Sequence, residues 1–445
     1  MRYPRSEPKM RIAVIGTGHV GLVTCASLAS VGHEIVGCDS DAEKIQALEQ
    51  GRAPFYEPGL EDLLKEGLAG GNLRFSLDVA DAVAGAEAIF ICVGTPPRAS
   101  GEANLLAVEQ AARGIARALT GRAVVVEKST VPAGTSKRVH RAVMSERPDL
   151  QDEVFIASNP EFLREGKAVE DALDPDRILV GANAPAAFEI MRRVYEPFTE
   201  RGAPLIETDI ETAELAKHAC NAFLAMKISY MNALARLCER SGADVVKVAD
   251  VMGADARIGR QFLDAGLGYG GYCFPKDLQA FERLARSLHY DFPLLREIAR
   301  INEEAVDAAF DKVTDAVWNI EGKTVTLLGL SFKPQTDDVR LSPALSLAKK
   351  LLEAGATVTG YDPEAAANAK AEVPDLDIAP DPYEAAAGAH CIVLCTDWEE
   401  FKDLDLERLR TAMAHPVIVD GRNLLDPQRM TEAGFTYLPM GRPSS

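Results

Sequence analysis

Apolar and polar positions along this chain follow two periods in alternation: short β-branched runs, then Ala-rich stretches of helical spacing. Arg11-Ile-Ala-Val-Ile15 reads as a strand, Leu22 to Val31 as a helix, and His33 to Cys38 as a second strand ending at Asp39. Ala88-Ile-Phe-Ile-Cys-Val93 and Ala123-Val-Val-Val126 continue at the same spacing, and Asp174 to Gly181 reads as a turn and then a strand. This alternation predicts a parallel sheet. The pattern then changes. Thr208-Asp-Ile-Glu211 has the form of a capping box, and the chain runs from it to about Arg240 without Pro or Gly. Its Ala, Leu, Phe and Met content wraps most of the helix circumference, which predicts a buried connecting helix that also carries a subunit interface. Beyond it the first pattern returns. Gly32-x-x-x-x-Gly37-x-Asp39 recurs as Gly355-x-x-x-x-Gly360-x-Asp362, and Gly85 to Cys92 recurs as Gly388 to Cys395.

Glycine placement sharpens this picture. Between the first strand and helix stands Gly16-Thr-Gly18-His-Val-Gly21, the G-x-G-x-x-G turn that admits a pyrophosphate at a helix N-terminus. Asp39, eighteen residues past Gly21, is placed to accept from ribose hydroxyls and would repel a 2′-phosphate, so NAD is expected over NADP. Lys44 suits either a ribose contact or a solvated helix face. The repeat after Thr324-Val-Thr-Leu-Leu-Gly329 lacks the triplet, so a second dinucleotide is not expected there. The fold class expected is α/β: two Rossmann-like doubly wound domains joined by a long central helix and a small all-helical middle domain. The boundaries expected are a tail over 1–9, a cofactor domain over 10–210, a helical domain over 211–312 and a nucleotide-binding domain over 313–445.

Composition narrows the classes. The 445 residues are 47% hydrophobic and 26% charged, and no apolar run approaches the ~18 residues of a membrane span. The first nine residues have no apolar stretch and do not form a signal peptide, so a cytoplasmic protein is expected. Eight cysteines without metal-ligand spacing predict free thiols, with neither disulfides nor a metal site. A net charge of −19 disfavours nucleic-acid and anionic-membrane partners.

The candidate chemistry centres on Phe262 to Asp277, where glycines at 266, 268, 270 and 271 precede Cys273, Lys276 and Asp277. Such glycines suit a binding loop, and a cation beside a cysteine favours the thiolate that attacks carbonyl carbon. Lys217 and Asn221 interrupt the long apolar helix four residues apart, on one face, as donors suited to an oxyanion. Thr95 and Thr130 follow predicted strands and either line the ligand crevice or cap helices. With Pro160 opening a helix, Glu161 and Glu165 are expected four apart on one face. Arg257, Lys333, Arg340 and Arg422 are further cations in predicted loops, Arg257 suiting a phosphate or an exposed surface equally well.

Together these motifs resemble the UDP-glucose/GDP-mannose dehydrogenase family. The resemblance spans residues 10 to 435 and rests on the glycine turn with Asp39, Gly94-Thr-Pro96, Lys128-Ser-Thr-Val-Pro132, Asn159-Pro-Glu-Phe-Leu-Arg-Glu-Gly166, Lys217-x-x-x-Asn221, Gly270-Gly-Tyr-Cys-Phe-Pro-Lys-Asp277 and Ser331-Phe-Lys-Pro334. Glu165-Gly166 followed by Asp174-Pro-Asp-Arg177 favours its UDP-glucose branch. Tyr272 departs from it, since many members have serine there. The resemblance implies a four-electron oxidation of UDP-glucose at C6 to UDP-glucuronate, two NAD serving in turn. The implied catalytic residues are Cys273 as nucleophile, Lys217, Asn221, Asp277, Glu161 and Thr130, with Lys217 or a water held by Glu161 as the first base. Gly16, Gly18, Gly21, Asp39, Lys44, Thr95, Thr130, Glu165 and Arg340 would hold NAD. Glu161, Phe162, Leu163, Lys217, Asn221, Arg257, Tyr269, Gly270, Lys333 and Arg422 would hold the sugar nucleotide, and a homodimer would form through the central helices. The alternatives are the same chemistry on GDP-mannose or a UDP-N-acetylhexosamine, and a non-catalytic NAD-binding regulator in which Cys273 merely packs.

Overall fold

Strands that read as unbroken apolar runs must be covered on both faces, and the first sheet shows how. In β1 (Arg11–Ile15) Ile12 and Val14 enter one buried cluster while Ala13 and Ile15 enter the other. In β4 (Ala88–Ile91) Ala88 and Phe90 divide from Ile89 and Ile91 in the same way. The computed structural model describes residues 10–96, 98 and 102–443. The loose tail expected over 1–9 lies outside the described residues.

Six further strands complete this sheet: β2 (Glu34–Cys38), β3 (Leu73–Ser76), β5 (Ala123–Glu127), β6 (Val154–Ser158), β7 (Ile178–Ala182) and β8 (Leu205–Thr208). Their order is β3-β2-β1-β4-β5-β6-β7-β8, parallel throughout except where β7 runs against β6. The order reverses at β1 and β4, so the loops leaving their carboxyl ends diverge and open a crevice there. A second sheet repeats the plan with β9 (Thr324–Leu328), β10 (Thr357–Tyr361), β11 (Asp377–Ile378), β12 (Cys391–Leu394), β13 (Val417–Asp420) and β14 (Thr436–Pro439). Its order is β11-β10-β9-β12-β13-β14, all parallel. Both halves are therefore Rossmann-like, as the sequence repeats imply.

The helices that position functional groups are α1 (His19–Ser30), α2 (Thr135–Glu146), α3 (Ile210–Ser241), α4 (Cys273–Ser287) and α5 (Pro293–Val317). The chain forms two compact units. One comprises the residues up to Cys220 with Gln279–Leu288, and the other Asn221–Leu278 with the chain from His289 onward. Helices α3 and α4 each contribute residues to both. Among the described residues no helix is long and apolar enough to cross a membrane.

One local prediction is overturned. Glu161 to Arg164 form no helix; the next one begins at Ala168. The residue before a proline is pushed to extended backbone, and here Asn159 is also pinned by its side chain, whose amide donates to the Leu179 carbonyl at 2.7 Å. Glu161 then folds its own carboxylate back onto the Leu163 N–H at 2.6 Å. Glu161 and Glu165 are thus loop residues.

Candidate active site

In the first unit the glycine turn has two kinds of glycine. A Cβ on Gly16 would come within 2.7 Å of the Cys92 carbonyl oxygen, and one on Gly21 within 1.9 Å of the Gly16 oxygen, so both are required by packing. Gly18 is different. A Cβ there would meet nothing within 4 Å, so the space over the first turn of α1 is left for something other than the chain. At the end of β2, Asp39 Oδ2 accepts from the Thr17 N–H (2.9 Å), the Thr17 hydroxyl (3.0 Å) and Lys44 Nζ (2.9 Å). Burial raises its pKa, but these donors prevail and hold the carboxyl below the usual carboxylate range. Among the described residues Oδ1 accepts only the Asp41 N–H, at 3.2 Å, and keeps capacity for a ribose hydroxyl. The turn and Asp39 fit a dinucleotide.

The equivalent carboxylate in the second sheet does not. Asp362 is 2% exposed, and its two oxygens accept from the N–H groups of Leu330, Ser331, Glu364 and Ala365, the Ser331 hydroxyl and the Trp398 indole. No acceptor capacity remains for a ribose. The repeat has become a structural staple.

Beside the cofactor turn, the Thr95 hydroxyl donates to the Thr130 carbonyl at 3.0 Å, which ties together the loops after β4 and β5. Lys217 reaches from α3 to donate to Glu161 at 3.1 Å, both side chains being almost fully buried. The ring of Phe162 faces Arg177 at 3.9 Å and Lys217 at 5.2 Å. Glu165 is half-buried in the same loop. A buried ion pair next to an aromatic face is a costly arrangement for stability alone, which favours a chemical role.

A neighbouring buried carboxylate was not singled out by sequence reasoning. Glu127 closes β5 and is 1% exposed; Oε1 accepts the Ser129 N–H at 3.1 Å, and Oε2 has no hydrogen-bond donor. Burial, with the charge of Glu214 adding to it, pushes this carboxyl up to about 8. Glu214, raised in turn by burial, accepts from the N–H groups of Gly134 and Ser136 at the start of α2. The sign follows from linkage: between the ordinary Glu value of 4.5 and about 8 the folded state holds a proton that the unfolded state has lost. Stability from this group is therefore full below 4.5 and falls as pH rises through 8. The slope is roughly 1.4 kcal/mol per pH unit. Glu127→Gln is expected to flatten that slope and to stabilise the protein above pH 8, measured by urea unfolding at several pH values. An unchanged slope would mean that Glu127 titrates normally.

In the second unit the cysteine proves to be the first residue of α4. Proline at 275 suits a first helical turn. A helix N-terminus favours negative charge and hence the thiolate. Cys273 is half-buried, whereas Asp277, one turn on, is 1% exposed. Asp277 accepts from the Asn221 amide at 2.5 Å and pairs with Lys276 at 2.7 Å. Asn221, Asp277 and Lys276 thus form one cluster on the turn that carries the thiol. The Tyr272 ring has Arg340 over it at 4.6 Å and Lys276 at 5.6 Å, so this departure from serine supplies a platform for two cations. Arg340 is also held by Asp338 at 2.6 Å.

The glycines before the cysteine serve the chain as much as any ligand. A Cβ on Gly270 would meet the Leu341 carbonyl at 2.4 Å, and one on Gly271, at φ 77, the Phe332 ring at 2.8 Å. The loop lies against Ser331-Phe-Lys-Pro334, which explains why both motifs occur in one chain. Tyr269 is fixed by Asn302, which accepts from its N–H at 2.8 Å and donates to its carbonyl at 2.9 Å. Asn302 lay outside the sequence prediction because its partner is 33 residues away. Arg422 donates to the carbonyls of Cys395 (2.7 Å) and Gly268 (3.1 Å), so it braces this loop. Lys333 lies over Phe332. The Arg257 side chain is 89% exposed and paired with Asp255.

Three family models cover the chain. Those described as the NAD binding, central and UDP binding domains of the UDP-glucose/GDP-mannose dehydrogenase family match residues 10–199, 211–304 and 326–427. The UDP-glucose 6-dehydrogenase of Rhizobium meliloti is 46% identical over 438 residues, 98% of this chain and 100% of that protein. A UDP-glucose dehydrogenase structure from Pyrobaculum islandicum superimposes with a TM-score of 0.91 at 38% identity, covering 99% of this chain and 100% of the other. The UDP-D-ManNAc dehydrogenase of Pyrococcus horikoshii follows at 0.86 and 29%, covering 97% and 99%.

Proposed function

Because the chain belongs to the UDP-glucose/GDP-mannose dehydrogenase family, we propose that it oxidises UDP-glucose at C6 to UDP-glucuronate in the cytoplasm, two NAD being reduced per sugar. The observation that carries this reading is Cys273 at a helix N-terminus, one turn from a buried Asn221-Asp277-Lys276 cluster. NAD supplies the hydride acceptor, with Gly18, Asp39 and Lys44 binding its pyrophosphate and ribose ends, and Thr95, Thr130, Glu165 and Arg340 toward the nicotinamide and its diphosphate. The protein's own groups do the rest. Lys217, or a water held by Glu161, takes the C6 hydroxyl proton as the alcohol becomes an aldehyde. The Cys273 thiolate adds to the aldehyde carbon; the carbonyl electron pair moves to oxygen, and the donors of Lys217 and Asn221 stabilise that oxyanion. Loss of a second hydride from the thiohemiacetal leaves a thioester. Asp277 and Glu161 direct a water onto it, the C–S bond breaks, and carboxylate and thiolate are released. Phe162, Leu163, Tyr269, Gly270, Lys333 and Arg422 hold the sugar nucleotide, with Arg257 a surface candidate for its phosphates.

Rates of NADH formation on UDP-glucose, GDP-mannose and UDP-N-acetylmannosamine test the substrate. Turnover at least tenfold faster on UDP-glucose is expected, and preference for either other sugar would move the protein to another branch of the family.

A homodimer is part of the same proposal. Phe223, Tyr230 and Leu237 recur every seven residues on α3 and are 58%, 53% and 59% exposed, an apolar stripe of the kind that a second copy of the helix covers. The wild-type protein is expected to sediment as a dimer, and Tyr230→Glu with Leu237→Glu as a monomer. A monomeric wild type at micromolar concentration would contradict this.

A further inference from the structure

Glu57 precedes Pro58-Gly59 in the loop ahead of a helix over Leu60–Gly70, and sequence reasoning passed over it. Its side chain is wholly buried, at 0% exposure. A carboxylate in that position must collect donors to offset its lost hydration, and it collects them from two functional segments. Oε2 accepts the Gly166 N–H at 2.7 Å and Oε1 the Ala168 N–H at 2.8 Å, both in the segment that directly follows Glu161, Phe162, Leu163 and Glu165. A third group stands beside it: His19, whose Nε2 lies 3.2 Å from Oε2 at ion-pair distance, without hydrogen-bond geometry. His19 is the first residue of α1, directly after Gly18, and its ring stacks on Phe55 at 4.5 Å and 19°. One buried carboxylate thus grips the end of the sugar-side loop with one hand and the glycine turn with the other.

We propose that Glu57 is a positioning residue that ties the Glu161–Ala168 loop to the dinucleotide turn through His19, so that a cofactor at the turn orders the loop. This rests on the reading of that loop as sugar-binding. The geometry supports it in three ways. Gly166 is in the left-handed region, at φ 77, so the segment enters the grip by a fixed bend. The Arg164 backbone N–H and side chain are both bound to Asp171, so the loop is fastened to the helix that begins at Ala168 on either side of Gly166. The imidazole stacked on Phe55 is about one-fifth exposed and directly follows Gly18, where an added Cβ would meet nothing within 4 Å.

The test is hydrogen–deuterium exchange of the peptide spanning residues 159–170 in the full-length protein, with and without NAD and with no sugar present. In the wild type NAD is expected to slow exchange at Gly166 and Ala168 at least fivefold. His19→Phe keeps the stack on Phe55 but removes Nε2, and NAD is expected to leave its loop exchange within twofold of the NAD-free value. Glu57→Gln keeps the shape but turns one acceptor into a donor facing an N–H; its loop is expected to exchange faster and without response to NAD. Glu57→Gln should also raise the KM for UDP-glucose about tenfold while NAD affinity, titrated by calorimetry, changes less than threefold. Equal NAD protection in His19→Phe and wild type would overturn the proposal, as would a Glu57→Gln loop that loosens equally with and without NAD while still gaining the wild-type protection factor. Should Glu57→Gln not fold, the His19→Phe comparison decides alone. Failure of the functional reading is separate: it would appear as a wild type that forms no NADH with any nucleotide sugar, whatever the exchange shows.

Discussion

Replacing Cys273 by serine is expected to lower steady-state turnover on UDP-glucose on the order of a thousandfold or more, the largest effect of any single substitution in this chain. The reason is the form of the nucleophile. A cysteine thiol titrates near 8.5 in the open and lower at a helix N-terminus, so a useful fraction is thiolate at neutral pH. Cys273 is the first residue of α4. A serine hydroxyl, with a pKa far above that of a thiol, offers almost no anion at the same position. In the proposed mechanism the first hydride transfer does not involve the sulfur, so the variant should retain it and stall at the aldehyde stage. Steady-state kinetics measures the loss, and intact-protein mass after mixing with UDP-glucose and NAD measures the adduct. Turnover above a tenth of wild type would remove the thiol from the mechanism.

Lys217→Met should have the next largest effect, and on two quantities at once. Lys217 and Glu161 are paired at 3.1 Å with side chains only 5% and 7% exposed. Removing the cation leaves a carboxylate buried without it, a change that costs about 3–5 kcal/mol in comparable pairs. Turnover should fall about a hundredfold or more through the lost oxyanion donor and proton acceptor. These two consequences separate in the double variant Lys217→Met with Glu161→Gln. Neutralising the stranded carboxylate should recover most of the lost stability in urea unfolding but none of the activity. Recovery of activity along with stability would assign the pair a purely structural role.

What was legible in the sequence was what depends on short stretches. Gly16, Gly18 and Gly21 with Asp39 could be read because strand, turn and helix are consecutive, although the reason Gly16 must be glycine, the Cys92 carbonyl, lies on a distant strand. Cys273, Lys276 and Asp277 could be read because one helical turn brings them together. The second Rossmann-like sheet was visible as a repeat of spacing around Asp39 and Asp362, yet the saturation of Asp362 was not, because Trp398 lies 36 positions away. The helix expected from Pro160 failed for a related reason: the Asn159 side chain is captured by Leu179, a non-local contact that outweighs local propensity. The glycines at 270 and 271 were read as room for a ligand against the backbone, whereas the groups found against them, Leu341 and Phe332, belong to the chain itself and come from distant sequence. Glu57 and Glu127 were missed because a lone carboxylate in a loop or at a strand end carries no sign of burial until the fold closes over it.

In the proposed mechanism one sulfur carries the sugar from its first oxidation to its second, and the yield of reduced cofactor per sugar tests this most directly. With limiting UDP-glucose and excess NAD, the absorbance at completion should correspond to two NADH for each sugar consumed. A yield of one NADH, with free aldehyde accumulating, would contradict it.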